Sequence, residues 1–376
     1  MKVRGAVLRE MGLPAPYAES RPLEITELEL DPPGEGELLI KIGAAGLCHS
    51  DLSVIDGSRP RVMPMVLGHE AAGEVVETGP NADGFEVGDH VIMAFVPACG
   101  ACEPCRSGRA ALCDPGAAAN VAGELLGGTR RWNTGDQSEV MHHHLGVSAF
   151  ADHAVVSARS AVKVDPSVPY EVAALFGCVV LTGVGAVQNS AAVKMGETVA
   201  VFGLGGVGLA ALLGAHLAGA SRIVAVDILQ SKLDLAQQLG ATDVVLAGEA
   251  GTVENVRAAA GGGAHKAIET VGNAQVLADA YAATRRGGVT VTVGLPHPSK
   301  MLEIPAVSLV AEERTLRGSY LGSCVPALDV PRYVELYQSG RLPVEKLLTH
   351  TIALDDINEG FDRLARGEAV RQAVVF

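Results

Sequence analysis

The stretch Thr198-Val199-Ala200-Val201-Phe202-Gly203-Leu204-Gly205-Gly206-Val207-Gly208 decides the fold of the middle of the chain. A short apolar strand runs into Gly203, Gly205 and Gly208, which stand in G-x-G-x-x-G register at the head of a helix and are joined in the turn by Gly206 and Val207. Each of the three glycines has a mechanical reason: a tight turn, close approach of backbone to a pyrophosphate, and tight packing of helix on strand. The helix N-terminus then faces the phosphates. Working outward, Arg222 to Asp227 reads as a strand, Ser231 to Leu239 as a helix and Val244 to Leu246 as a strand. Lys266 to Glu269, Ala274 to Ala283 and Val289 to Val293 repeat the alternation. Roughly six strands between residues 180 and 320 therefore predict a doubly wound parallel sheet. Asp227 ends the second strand, where a carboxylate accepts hydrogen bonds from the adenosine ribose hydroxyls and repels the extra phosphate of NADP. NAD is the expected cofactor. Lys232, one helical turn further, is within reach of the same ribose.

Four of the seven cysteines crowd together as Cys99-x2-Cys102-x2-Cys105-x7-Cys113, in a loop interrupted by Gly100, Pro104 and Gly108. In a long chain that starts without a leader-like segment, such crowding reads as a closed tetrahedral zinc site rather than as disulfides. Four thiolates leave no open position, so the expected role is structural. A catalytic zinc needs three protein ligands and one vacancy. Cys48, His69 and Cys178, each in a glycine-flanked segment, are candidates. Spacing alone does not assemble them, and a lone buried cysteine or histidine is more often a packing residue.

The 376 residues allow two domains with separate cores. Hydrophobic residues at 48%, charged residues at 19% and aromatics at 4% fit an Ala/Val/Gly/Leu-rich α/β enzyme, not a disordered chain. The net charge of -14 disfavours nucleic acid and anionic membrane surfaces as partners. No leader and no long uninterrupted apolar run is apparent, so the expected location is cytoplasmic. Residues 1 to about 100 read as mostly β, with little helical periodicity. The tail, with helices near Val330 to Ser339 and Ile357 to Gly367 and a strand Gln372 to Phe376, is expected to rejoin that first domain. Gly116 to Gly128 and Ala258 to Ala264 read as loops.

Several of these segments together resemble the zinc-dependent medium-chain alcohol dehydrogenases. Gly68-His69-Glu70-Ala71-Ala72-Gly73-Glu74-Val75-Val76 looks like the family's zinc signature, and the four-cysteine lobe, the Gly203 to Gly208 turn and Ile357-Asn358-Glu359-Gly360-Phe361 also match. The similarity is to the liver-type and class III-like branch, because the long segment Ala117 to Phe150 is present, a feature associated with dimers. The resemblance implies a GroES-like, mostly β catalytic domain over residues 1–179 and 321–376 and an NAD-binding Rossmann domain with a six-stranded parallel sheet over 180–320. It further implies two zinc ions per subunit, a homodimer, and reversible hydride transfer between NAD and a primary, medium-chain or aromatic alcohol or its aldehyde.

Residue by residue, the resemblance makes Cys48, His69 and Cys178 the catalytic zinc ligands, with Asp51 orienting His69 and Glu70 beside the metal. His49 and Arg371 match positions at the cofactor pyrophosphate, Thr182 and Val207 positions around the nicotinamide, and Ser50 the first proton relay. Ser53 stands where many relatives carry a histidine as outer base, which predicts a slower or water-mediated outer step. Phe95, His144, Leu145, Leu295 and Tyr320 are implied around the substrate channel. Arg59 and Arg61 replace acidic residues of the glutathione-dependent relatives, so a thiol-adduct formaldehyde dehydrogenase, using an S-hydroxymethyl thiol, is the main alternative rather than the first reading. Arg59 offers a bidentate site for a substrate carboxylate or phosphate, against the plainer reading of a rim arginine. A zinc-lobe interaction module and a zinc-free quinone-type reductase fit less well: the lobe has no basic face, and all seven proposed zinc ligands are present.

Overall fold

The computed structural model describes residues 1–135, 138–248 and 251–376. The chain divides into two compact units, one of Met1–Cys178, Val325–Glu335 and Val344–Phe376, the other of Val179–Cys324 and Leu336–Pro343. Relative to the boundaries expected from the sequence, the breaks shift by one residue at the first and four at the second, and Leu336–Pro343, with the buried Leu342, groups with the second unit.

The second unit is a six-stranded parallel sheet: β1 (Thr198–Phe202), β2 (Arg222–Asp227), β3 (Asp243–Leu246), β4 (Ala264–Glu269), β5 (Thr284–Thr292) and β6 (Thr315–Gly318), in the order β3-β2-β1-β4-β5-β6. Chain direction across the sheet reverses between β1 and β4, which opens a crevice at the carboxyl end of β1, where the glycine turn lies. Ala200, Phe202, Val224, Val226, Ala267 and Ala280 share one core. Helix α1 (Gly206–Leu217) has nine buried residues of twelve and almost no polar side chain, because both its faces are covered.

The first unit is all but helix-free at its centre. Lys2–Leu8, Leu23–Leu30, Trp132–Asn133, Val140–His143 and Met65–Val66 close a small barrel around Leu8, Leu28, Val66, Trp132 and Phe150. A second sheet runs from Ala161–Lys163 through His90–Met93, Ala71–Thr78, Glu37–Gly46 and Gln372–Val375 to His350–Ile352. Two registers in it set the site: Ala45 faces Ala71, and Gly46 faces Ala373. They bring the segments that begin at Cys48, end at Glu70 and end at Arg371 to one sheet end.

Two loop expectations are corrected. Asp114–Ala122 is a helix within the Gly116–Gly128 stretch: Asp114 and Pro115 open it, Cys113 Sγ accepts from the Gly116 N–H, three alanines extend it and Gly123 closes it at φ 68°. The Ala258–Ala264 stretch is the end of a helix, Thr252–Ala259, and the start of β4, with only the glycines between as a loop. The segment taken as having little helical character also contains the helix His49–Ile55. One described helical run, Tyr170–Ser190, is long and apolar enough to cross a membrane, and most of it is buried in the protein.

Candidate active site and metal centres

Helix His49–Ile55 is capped by its own metal-site sequence. Cys48 is the N-cap, its backbone N–H donates to Asp51 Oδ2 at 3.1 Å, and this capping box fixes the carboxylate at the helix start. Asp51 Oδ1 lies 3.0 Å from His69 Nδ1, with both side chains buried. The Nδ1–H tautomer follows, so His69 Nε2 carries the lone pair, and that atom is buried with no hydrogen-bond partner. Gly68, at φ 92°, makes this approach possible, because a Cβ there would meet the Phe150 backbone nitrogen at 2.5 Å.

The ligand atoms of Cys48, His69, Glu70 and Cys178 all lie within 4.8 Å of one another and all four residues are buried. Cys178 sits in a π turn, Phe176–Val180, an irregularity that re-aims a side chain inside a helix. An unpaired imidazole nitrogen and two facing sulfurs form a donor set that suits zinc with one position left over. Arg371 closes the cluster. It is only 4% exposed, its Nη1 donates to the Leu47 carbonyl at 2.7 Å, and its Nη2 stands 3.8 Å from Cys48 Sγ and 3.7 Å from Glu70 Oε2.

The charges respond accordingly. The Cys178 S–H and the Arg371 guanidinium hold the Cys48 thiol well below its usual range, while the pairing with Cys48 and burial push Cys178 up. Burial raises Glu70 to about 8 against the opposing pull of Arg371. Both Glu70 oxygens are buried without hydrogen bonds. Burial opposes a proton on His69, but Asp51 and Cys48 favour positive charge there more strongly and hold it well above the imidazole range, a charge that a metal ion on Nε2 would supply in the proton's place. A sequence reading has no signal for the Arg371–Glu70 pair, which needs the C-terminal strand to dock beside Gly46.

The other expected site residues of this unit are placed as follows. Ser50 is partly exposed, and its hydroxyl has no protein partner among the described residues. Ser53 Oγ donates to the His49 carbonyl at 2.8 Å, and His49 is exposed on the first helical turn. Phe95 packs edge-on against His69 at 5.5 Å between centroids, and Leu145 is buried. Arg59 is partly buried, its backbone N–H donating to the Ser53 carbonyl. His144 is 1% exposed and directs Nδ1 at Asp51 Oδ1, 3.1 Å away. Arg371, expected at a pyrophosphate, is turned into the cysteine cluster.

In the lobe, the four sulfurs of Cys99, Cys102, Cys105 and Cys113 lie within 4.8 Å of one another, and all four are free thiols. Sulfurs around zinc at about 2.3 Å stand roughly 3.8 Å apart. The Cys102 and Cys113 sulfurs are at 4.0 Å. Backbone N–H groups of Ala101 and Cys102 point at Cys99 Sγ and lower its thiol to about 6; burial pushes Cys105 to about 12. Preformed amide donors of this kind stabilise thiolate charge, which a closed metal site needs.

In the parallel-sheet unit, Gly203 takes φ 87°, and a Cβ on Gly208 would collide with the Gly203 carbonyl at 1.8 Å. Nothing lies within 4 Å of a Cβ position on Gly205, so open space faces the helix N-terminus there. Asp227 Oδ2 accepts from Leu204 N–H at 2.7 Å and Oδ1 from Leu229 N–H at 3.0 Å. Thr182 is buried, Gly206 and Val207 start α1, and Lys232 is half-buried on the next helix. Leu295 and Tyr320 are exposed in this unit.

Two family models match: "Alcohol dehydrogenase GroES-like domain" over residues 34–166 and "Zinc-binding dehydrogenase" over residues 206–339. Over 378 aligned residues the chain is 38% identical to the NDMA-dependent alcohol dehydrogenase of Amycolatopsis methanolica, covering 100% of this chain and 99% of the relative. It is 37% identical to an S-(hydroxymethyl)glutathione dehydrogenase of Escherichia coli, covering 100% of both. The crystal structure of benzyl alcohol dehydrogenase from Acinetobacter calcoaceticus superposes with a TM-score of 0.92 at 32% identity, covering 100% of this chain and 99% of that one. With a GroES-like unit, a 3-2-1-4-5-6 nucleotide sheet and two cysteine-based metal centres in one chain, this protein belongs to the zinc-dependent medium-chain alcohol dehydrogenase family.

Proposed function

We propose that the protein is an NAD-linked alcohol dehydrogenase that interconverts primary medium-chain or aromatic alcohols and their aldehydes. The observation that carries this reading is His69: Nδ1 is held by Asp51 while the buried, unpaired Nε2 shares a 4.8 Å cluster with Cys48 and Cys178. Cys48, His69 and Cys178 would hold a zinc ion with one open position, and Cys99, Cys102, Cys105 and Cys113 a second, structural one. When bound, the open zinc supplies the Lewis acidity that makes an alcohol acidic near neutral pH, and NAD accepts the hydride.

The chain's own residues do the rest. Arg371 brings balancing charge to the two sulfurs, Phe95 and Leu145 keep the neighbourhood apolar, and Ser50, two residues from Cys48 and able to donate and accept, passes the proton outward. Ser53, whose hydroxyl is spent on the His49 carbonyl, serves the outer step only through water. Gly203 to Gly208 cradle the pyrophosphate, Asp227 and Lys232 bind the adenosine ribose, and Thr182 and Val207 border the nicotinamide; the resemblance assigns His49, in the other unit, to the cofactor as well. Arg59 and His144 in the first unit, and Leu295 and Tyr320 in the second, are each assigned to the substrate side by the family resemblance. The benzyl alcohol dehydrogenase likeness favours an aromatic substrate.

A homodimer in the cytoplasm is part of the same reading. Strand β6 is an open sheet edge, and the helix before it exposes Val307, Leu309 and Val310, which a second copy would cover. The relative named for S-(hydroxymethyl)glutathione keeps a thiol-adduct formaldehyde dehydrogenase as the second reading. A panel of alcohols and aldehydes with NAD(H) and NADP(H), with and without added glutathione, separates them. Benzyl alcohol turnover with NAD in the absence of thiol supports the first reading; turnover only of formaldehyde with glutathione overturns it.

A further inference from the structure

Asp51 is shared between two imidazoles. Its Oδ1 stands 3.0 Å from His69 Nδ1 and 3.1 Å from His144 Nδ1, and all three side chains are within 1% of full burial. The His144 contact is oblique, too far off line to count as a full hydrogen bond, but at that distance in a dry site a ring nitrogen must present its N–H to a carboxylate oxygen, because a lone pair there would be repelled. The two rings meet edge to face, with centroids 5.4 Å apart at 88°.

The loop that carries His144 is built to hold it. The His144 backbone N–H donates to Ser148 Oγ at 2.8 Å and Ser148 Oγ donates to the Val66 carbonyl at 2.8 Å. Leu145 and Ser148 both take left-handed backbone at φ 52° and 55°, a cost that non-glycine residues carry where the surroundings fix the chain. A histidine needed only to fill space would not require this.

We propose that His144 is a positioning residue of the buried metal centre. It draws part of the Asp51 carboxylate away from His69 and so weakens His69 Nε2 as a donor, leaving a bound metal more electrophilic. The inference rests on reading His69 as a metal ligand. The direction follows from what else holds Asp51: Oδ2 keeps the Cys48 N–H, so loss of His144 does not release the carboxylate but gives Oδ1 wholly to His69. A carboxylate bonded more fully to a ligating imidazole raises its basicity.

The test compares wild type, His144→Phe, which removes the donor, and His144→Asn, whose amide nitrogen returns one at the same place. Zinc release from the full-length, zinc-loaded protein is followed with the chromogenic chelator 4-(2-pyridylazo)resorcinol, the kinetic phase missing from Cys48→Ser protein marking the buried centre. In His144→Phe that phase slows about 3-fold, and in His144→Asn it returns to the wild-type rate. An unchanged phase in the Phe variant, or equal changes in both variants, overturns the proposal. If wild type has no such phase, the metal reading itself falls and this inference with it. A second readout needs no phenylalanine variant: wild type with isotope-labelled histidine shows a slowly exchanging Nδ1–H proton of His144 that is lost in His144→Asn, while that of His69 remains. A wild-type spectrum in which His144→Asn removes no Nδ1–H proton overturns the proposal.

Discussion

The Leu204 backbone N–H donates to Asp227 Oδ2 at 2.7 Å, so the carboxylate at the end of β2 fastens the glycine turn that follows β1. In the proposed function one residue thus serves two ends: it fixes the glycine turn and keeps lone pairs for the cofactor's ribose. Asp227→Asn keeps one acceptor oxygen and loses the charge. The NAD:NADP ratio of kcat/KM should fall by about 10-fold or more, measured as initial rates with each cofactor. An unchanged ratio would remove Asp227 from cofactor choice.

Ser50 is partly exposed, its hydroxyl has no protein partner among the described residues, and it stands two residues from Cys48 of the buried cluster. Replacing Ser50 with Ala should lower turnover about 100-fold, the low end for a positioned proton carrier, while metal content stays at the wild-type level. Ser53→Ala should change turnover far less, because that hydroxyl already closes on the His49 carbonyl. Wild-type turnover in the Ser50 variant would take the relay elsewhere.

His143 makes acid stability a specific prediction. Burial, then the Arg131 and Arg130 charges, lower it to about 3, and its Nε2 accepts the Arg131 N–H at 3.1 Å, so the fold holds it neutral. An unfolded histidine takes a proton near pH 6.5. Its contribution is therefore complete above that pH and drains away as the pH falls towards 3. Between pH 6.5 and 4.5 the loss is about 2 kcal/mol. Urea midpoints at both pH values, in wild type and in His143→Gln, should show a smaller acid loss in the variant; identical pH slopes would contradict it.

Losing one lobe thiolate should unfold the lobe before it stops the chemistry. Cys105→Ser is expected to retain one metal ion per subunit instead of two and to lose about 2–4 kcal/mol of stability. Thermal unfolding with metal analysis by atomic absorption checks both numbers.

Much of this was legible because local chemistry writes it into the sequence. The Gly203–Gly208 turn and the Cys99–Cys113 spacing are each set by atoms a few residues apart, and the structure places both as expected. The helix Asp114–Ala122 was not legible, since an Ala/Gly-rich run looks like a loop until Pro115, the Cys113 cap and the closing Gly123 are seen together. Partners far apart in sequence were the other gap. Arg371 meets Glu70 only through the pairing of Ala373 with Gly46, and His144 meets Asp51 only through the strained Leu145–Ser148 loop. No periodicity encodes either contact.

In the proposed function His69 Nε2, Cys48 and Cys178 hold a metal ion on which the chemistry depends. Metal content and alcohol oxidation measured together on wild type, Cys48→Ser and His69→Ala test it most directly. Two zinc ions per subunit are expected in wild type and one in each variant, with at least a 1000-fold loss of turnover in both, on the order of removing a Lewis acid worth several kcal/mol. Variants that keep wild-type activity with only the lobe ion bound would contradict it.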